Sequence, residues 1–326
     1  MATKRKRLAG SPPSIEWLSS SRQVTVKAVE EPAVVAAPPA TAMDATFVEL
    51  EQWTKQYEDQ IETFVQLLNV PPWLVFQYDI ECSRDTVLKD SIISIGVAIV
   101  YGDRAFKVRF PGWVPGATEF EEPVYMNFWK DFIDPLLACR ASEGITTPEQ
   151  ATRYMSMAYV AIRRACSRVC ARHKGMKFLP AVDNPGYDLA RIHSMVAPFL
   201  RSFRRAPLPM ADDLWDMPTQ IFTVDEKGHW DGESTSTALV VKRPNYQREV
   251  CTSSFIEGLL AGLGVEVPDD LKGGFDAFFC SVFAISETRK EAIRNHPHVA
   301  EDDAASAGFK YQTALEYKAG LVSLTV

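Results

Sequence analysis

Residues 73–81 read Trp73-Leu74-Val75-Phe76-Gln77-Tyr78-Asp79-Ile80-Glu81. The aromatic and β-branched run from Trp73 to Ile80 predicts a strand. Alternate strand residues share a face, so Asp79 and Glu81 project together while Ile80 turns into the core. Two acids on one face, at the end of an otherwise apolar strand, are costly unless something positive lies between them. A hard divalent cation with oxygen ligands is the natural candidate. By itself, an Asp-x-Glu pair is more often a solvated strand end.

Downstream, Ser91 to Tyr101 and Ala105 to Phe110 are two more short apolar runs, joined by Tyr101-Gly102-Asp103-Arg104, which reads as a hairpin turn. Three successive antiparallel strands are predicted. Upstream, Phe47, Leu50, Trp53, Tyr57, Ile61, Phe64 and Leu68 recur at three- and four-residue steps with acids and Lys55 between them. That spacing predicts an amphipathic helix closed by Pro71-Pro72 and packed on the domain that follows, giving an N-terminal helix over 43–72. Residues 1–42 read as a Pro- and Ala-rich tail without structure. Its tetrad Lys4-Arg5-Lys6-Arg7 fits a nuclear-import address or an ordinary solvated tail equally well.

Helices are predicted over Tyr125–Leu137, Pro148–His173 and Tyr187–Phe199, with a fourth strand at Lys177–Val182. Ile221–Val224 and Ala238–Lys242 are further strand candidates. Ser254 is placed to cap a helix from Phe255 to Leu263, which Gly264 would stop. A last helix runs from Val299 to Tyr317. Strands first, then strand and helix in alternation, predict one α/β domain with a mixed sheet over 73–326.

The chain is acidic, with a net charge of −7, and its apolar runs are of strand length rather than membrane-spanning length. Basic residues at the start are not followed by an apolar stretch, which argues against a secretory signal. Six scattered cysteines do not form a disulfide framework and fit a reducing, intracellular compartment better. The charge is uneven: between Ala151 and Arg205 lie eleven Lys and Arg and only Asp183 and Asp188 as acids. A basic block in an acidic chain suggests a phosphate-facing surface.

Two further segments carry candidate chemistry. Asp183-Asn184-Pro185-Gly186-Tyr187-Asp188 follows the fourth strand, and Asp188 falls in a first helical turn, where the dipole favours a carboxylate. His298-Val299-Ala300-Glu301-Asp302-Asp303-Ala304 opens the last helix, with Pro297 suited to its start. His298 is of the type that deprotonates a water near neutral pH. Singly, each reads as well as a cap or a surface position.

Together, and in this order, the three segments resemble the DEDDh family of 3′–5′ exonucleases. Asp79 and Glu81 match its first Asp-x-Glu, and Asn184, Tyr187 and Asp188 match its middle Asn-x-x-aromatic-Asp. His298, Ala300, Asp303 and Ala304 match its last His-x-Ala-x-x-Asp-Ala in full. The resemblance covers about residues 73–317. It implies a ribonuclease H-like mixed five-stranded sheet flanked by helices, with the site at its centre. It also implies two Mg²⁺ or Mn²⁺ ions held by Asp79, Glu81, Asp188 and Asp303, with His298 as general base, acting on single-stranded DNA or RNA 3′ ends. Cys82 and Ser83 stand where members carry residues that approach the terminal nucleotide, and Asn184 and Tyr187 join them as expected substrate contacts. Asp183 occupies a place where His is common. His298 follows Asp188 by 110 residues, an interval whose extra length lies in an insertion over 203–297.

Other signals carry less. Cys166, Cys170 and His173 lie on one helix and cannot surround a tetrahedral zinc ion, so core packing is expected. His193 and His229 belong to no motif, and Lys272-Gly273-Gly274 reads as a turn. Glu301 and Asp302 are ordinary acids of a helix N-terminus. The alternative to an enzyme is a catalytically inactive nucleic-acid-binding or scaffold protein that keeps the fold. No membrane association is expected, and a dimer is compatible with the sequence.

Overall fold

The strand beginning at Trp73 lies in the middle of the sheet. A computed structural model describes residues 16–18, 42–66, 73–82, 92–113, 138, 140–189, 191–192, 194–196, 199, 222–224, 230–234, 249–268 and 274–325. The strands are β1 (Glu16–Leu18), β2 (Trp73–Cys82), β3 (Ile92–Tyr101), β4 (Arg104–Pro111), β5 (Lys177–Val182), β6 (Phe222–Val224), β7 (Trp230–Ser234) and β8 (Val250–Cys251). The helices are α1 (Ala42–Gln66), α2 (Pro148–Arg172), α3 (Thr252–Gly262), α4 (Gly274–Val282), α5 (Glu287–Arg294) and α6 (Ala300–Lys318).

The protein is α/β, with an open mixed sheet in the order β4-β3-β2-β5-β8 and the short β1 added at the β4 edge. β2, β3 and β4 pair antiparallel, and β5 runs parallel to both β2 and β8. The expected hairpin is present: Tyr101 pairs with Arg104, and Gly102 takes the positive φ of 64° that a two-residue turn requires. β1 lies inside the stretch expected to be without structure, where Glu16-Trp17-Leu18 finds the free edge of β4. β6 and β7 form a separate antiparallel pair within the insertion. The expected strand at Ala238–Lys242 and helix at Tyr125–Leu137 lie outside the described residues, as do Lys4–Arg7, Ser83, His193 and His229.

Side-chain alternation along β2 divides the core in two. Phe76, Tyr78, Ile80 and Cys82 face α1 and α2, packing with Trp53, Tyr57, Phe64, Tyr159 and Ile162. Val75 lies in the other core, with Ala98 and Val100 of β3 and residues of α3, α4, α5 and α6 such as Ile256, Phe279, Ile293 and Phe309. β3 is buried along its whole length because helices cover both faces. Asp79 and Glu81 have the parity of Val75 and so belong to the α6 side.

Helix termini are set by local chemistry. Thr147 and Gln150 form a reciprocal capping box at the start of α2, with Pro148 at the first position. Gly264, at φ 67°, ends α3 and lets Val265 N–H reach the Leu260 carbonyl at 3.0 Å. Ser254 is not the cap of α3, however. The chain passes from β8 directly into the helix, so Cys251 is the cap residue and no side chain caps it. The expected helix from Tyr187 starts as one π-helical turn, Pro185–Leu189, with helical residues resuming at Arg191.

The α2 part of the basic block is not a free phosphate-facing surface, while Arg201, Arg204 and Arg205 lie outside the described residues. Arg153 pairs with Glu49 at 2.7 Å, Arg164 with Glu51 at 2.6 Å, Arg168 with Glu51 at 3.0 Å, and Arg172 with Glu58 at 2.9 Å. His173 pairs with Glu62, whose carboxyl is lowered mainly by that contact against the cost of its burial. The partners advance in step along both helices, so α1 and α2 run in the same direction with a seam of alternating charge. Arg163 is buried against Glu249 at 2.7 Å, and Arg191 stacks at 3.4 Å over the Tyr187 ring. The acids that pair with Arg153, Arg164, Arg168 and Arg172 lie on α1, about a hundred residues earlier. Cys166 and Cys170 are buried in the α1/α2-side core, as expected. The five cysteines described are all free, and among the described residues no helix is long and apolar enough to cross a membrane.

Candidate metal centre

The site is assembled by a close approach of α6 to β3. In β3, Gly96 pairs across the sheet with Asp79. A Cβ added to Gly96 would lie 2.0 Å from the Ala300 carbonyl carbon and 2.0 Å from the Glu301 nitrogen. Only a glycine lets the first turn of α6 rest on the sheet beside Asp79. From there Asp303, one turn into the helix, meets the β2 acids: carboxylate oxygens of Asp79, Glu81 and Asp303 lie within 4.8 Å of one another.

Asp188 comes to the same cavity from the turn after β5. Its side chain is 1% exposed. One oxygen, Oδ2, accepts from the Asn184 N–H at 3.3 Å, while Oδ1 is buried without a partner. The cavity encloses about 480 Å³ and includes Asn184, Tyr187, Asp183, His296, His298 and Lys310 in its walls. Asn184 Oδ1 accepts from Tyr187 N–H at 3.1 Å and closes the turn that presents Asp188.

Crowding of like charge controls the protonation of this cluster. Burial, then the charges of Asp303 and Asp183, push Asp79 up to about 8. Burial, then Asp79, Asp303 and Asp188, push Glu81 up to about 10. Asp188 is also raised, chiefly by burial and then by Asp79, with the Asn184 N–H opposing. Such a cluster holds protons at neutral pH or holds cations in their place.

The residues expected from the sequence do not all converge alike. Asp79, Glu81, Asp188 and Asp303 meet, and His298 sits at the mouth with its side chain 68% exposed and Nδ1 3.5 Å from Asp303 Oδ1. Cys82 borders the cavity, but its side chain is buried in the opposite core, because its parity along β2 is that of Ile80. Asp183 does not replace Asp188: its Oδ1 accepts from the Ser253 hydroxyl at 2.6 Å and ties β5 to the first turn of α3. Glu301 and Asp302 point away from the cluster and pair with Arg109 and Lys107 of β4.

Three residues were missed. His296 Nε2 lies 2.9 Å from Asp303 Oδ1, closer than His298, and chiefly that hydrogen bond raises its ring above the usual imidazole range against the cost of its burial. The His296-Pro297-His298 spacing was its signal. Lys310 lies seven residues after Asp303, on the same helical stripe, and its Nζ is 2.6 Å from Asp276 Oδ1. Asp276 had no signal, since it lies in the insertion, in the first turn of the nearly all-apolar α4.

The fold and site thus define an α/β protein with an acidic centre on the middle strand of an open sheet. Comparison with protein-family models, with curated proteins and with solved structures found no match to the chain.

Proposed function

We propose that this chain is a metal-dependent 3′–5′ exonuclease of the DEDDh type, with a ribonuclease H-like fold, acting on single-stranded DNA or RNA ends. One observation carries the reading: acids from three distant segments converge on one cavity, and a buried Asp188 oxygen there has no partner. An orphaned, desolvated carboxylate among other carboxylates is stable only with a proton or a cation beside it. The donors are all carboxylate oxygens, which fit Mg²⁺ or Mn²⁺ rather than a soft metal. The five-stranded mixed sheet with the site on its central strand is also what the resemblance implies.

Asp79, Glu81, Asp188 and Asp303 would hold two such ions. When bound, the ions neutralise charge on the transferring phosphoryl group and make water more acidic. His298, with Nδ1 3.5 Å from Asp303 Oδ1, would take the proton from the attacking water. His296 Nε2 lies 2.9 Å from the same Asp303 oxygen. Asn184 fixes Asp188 through the backbone, and Tyr187, stacked under Arg191, lines the wall where a terminal nucleotide would enter.

The test is a 3′-labelled single strand, as DNA and as RNA, incubated with Mg²⁺. Wild-type protein should release nucleotides in a ladder from the 3′ end. Asp79→Ala should remove the activity, and His298→Ala should slow it by about 10²- to 10⁴-fold. Binding without cleavage in wild type and variants would replace the enzyme with the scaffold reading.

A further inference from the structure

The cavity that gathers the carboxylates also holds an opposite charge, and the mechanism above does not use it. Among the described residues lining the cavity, Lys310 is the one Lys or Arg. Its side chain is 14% exposed, with Nζ 5.8 Å from the centre of the Phe275 ring and 2.6 Å from Asp276 Oδ1. Seven residues along α6 from Asp303 is a rise of about 10 Å. Lys310 is therefore rooted about two turns beyond Asp303, yet faces the same space along the same helical stripe. Ser306 and Ala307 between them are small, so the wall is open from one to the other.

We propose that Lys310 is a positioning residue for the substrate strand, binding a phosphate beyond the one that reaches the carboxylate cluster, with Asp276 as the counter-ion it exchanges for that phosphate. The inference rests on the nuclease reading for the identity of its ligand. It deepens that reading by making the substrate an oligonucleotide with at least one further phosphate, rather than a mononucleotide ester. An ammonium on a four-carbon stem suits the task, because it can swing from a carboxylate to a phosphate without rebuilding a planar geometry.

A tie between α4 and α6 is the competing role for the same pair, and the two roles differ in sign. As a tie, loss of either partner weakens the same structure, and both variants shift binding in the same direction. As an exchangeable contact, loss of Lys310 weakens strand binding, whereas loss of the Asp276 charge frees the lysine and strengthens it.

The experiment measures binding of a fluorescein-labelled oligothymidylate by anisotropy across a salt series, with Ca²⁺ replacing Mg²⁺, on the full chain. Lys310→Met should bind about tenfold more weakly, and the slope of log affinity against log salt should become shallower by about 0.7, one phosphate contact on a single strand. Lys310→Arg should keep the slope. Asp276→Asn should bind more tightly than wild type. An unchanged slope in Lys310→Met overturns the inference, as does weakening by both variants or a wild type that binds no strand. Should Lys310→Met fail to fold by circular dichroism, the sign of the Asp276→Asn effect decides alone. Cleavage is read separately: Lys310-dependent binding without cleavage sinks the nuclease reading and leaves this one standing, and cleavage with an unchanged slope does the reverse.

Discussion

Gly96→Ala is the smallest change that should disable the centre without touching a carboxylate. The added methyl would sit 2.0 Å from two backbone atoms of the α6 N-terminus, where ordinary contact needs 3.4 Å or more. Backbone cannot rotate away, so helix and sheet must separate by roughly 1.4 Å, the difference between those two distances. Asp303 travels with the helix while Asp79, paired across from Gly96, stays with the sheet. Mg²⁺ demands oxygen distances of about 2.0–2.1 Å in near-ideal geometry. A misplacement of about 1 Å in a catalytic site costs on the order of 10²-fold in rate. The expected result is a fall in kcat/KM of about 10²-fold or more and a weaker Mg²⁺-induced rise in Tm. Overpacking adds about 1–3 kcal/mol of lost stability. Gly308→Ala is the milder change on the same helix: its methyl would meet the buried Val100 Cγ2 at 2.7 Å, a side-chain rather than a backbone atom, and a helix-propensity gain of about 1 kcal/mol offsets part of that clash. Wild-type metal affinity and turnover in Gly96→Ala would refute the account of how the site is assembled.

Metal-free protein should lose stability as pH rises. Asp79 and Glu81 are raised to about 8 and about 10, so the native state keeps protons that the unfolded chain releases above about pH 4, and the urea midpoint should fall between about pH 5 and about pH 8. Saturating Mg²⁺ should restore it, with a larger Tm increase at the higher pH; equal increases at both would contradict the proton–metal exchange. Arg164→Met removes a buried guanidinium from the α1–α2 seam and should cost about 3 kcal/mol, the low end for a broken buried pair because Glu51 is 35% exposed. Its oligonucleotide affinity should match wild type, and a loss there would restore the basic block as a binding surface. His298→Ala should lower kcat at unchanged Mg²⁺ dependence, whereas His296→Ala should raise the Mg²⁺ concentration needed for half-maximal rate, since Asp303 loses its 2.9 Å partner; steady-state titrations separate the two.

What the sequence shows plainly follows from period. β2 to β5 and α2 were legible because their apolar residues alternate or recur within one element, and the hairpin glycine sits where a positive φ is needed. Within the insertion, the strand at Phe222–Val224 and the helix α3 were legible, but the stretch after Gly264 was not, for the opposite reason. α4 reads GFDAFFCSV, apolar almost throughout, and α5 reads ETRKEAIR, polar almost throughout, so neither shows a face until its neighbours are in place. The four acids could be picked out because each sits at a strand end or first helical turn, with a matching partner segment elsewhere. Gly96 carries no side chain to notice, and His296 lies two residues from a histidine that already had a role. Pairing across long sequence separations is what defeated the basic block, since Glu51 and Arg164 each look solvent-exposed until α1 lies on α2.

That pairing bears on how the proposed nuclease would bind its substrate. The arginines of α2 that could have attracted phosphate are neutralised by α1, and the cavity itself holds six acidic side chains against one lysine already paired with Asp276. A polyanion entering such a cavity meets net repulsion, and the low dielectric of a buried site magnifies it. Favourable entry then requires divalent cations at the carboxylates first, displacing protons that leave Asp79 and Glu81 at best neutral and turning the field there positive before a phosphate arrives. Binding order therefore follows from charge alone: metal, then strand, with Lys310 released from Asp276 in the second step. Oligonucleotide affinity measured with and without Ca²⁺ should differ by orders of magnitude, and tight binding by the metal-free protein would mean that some other surface of the chain holds the strand.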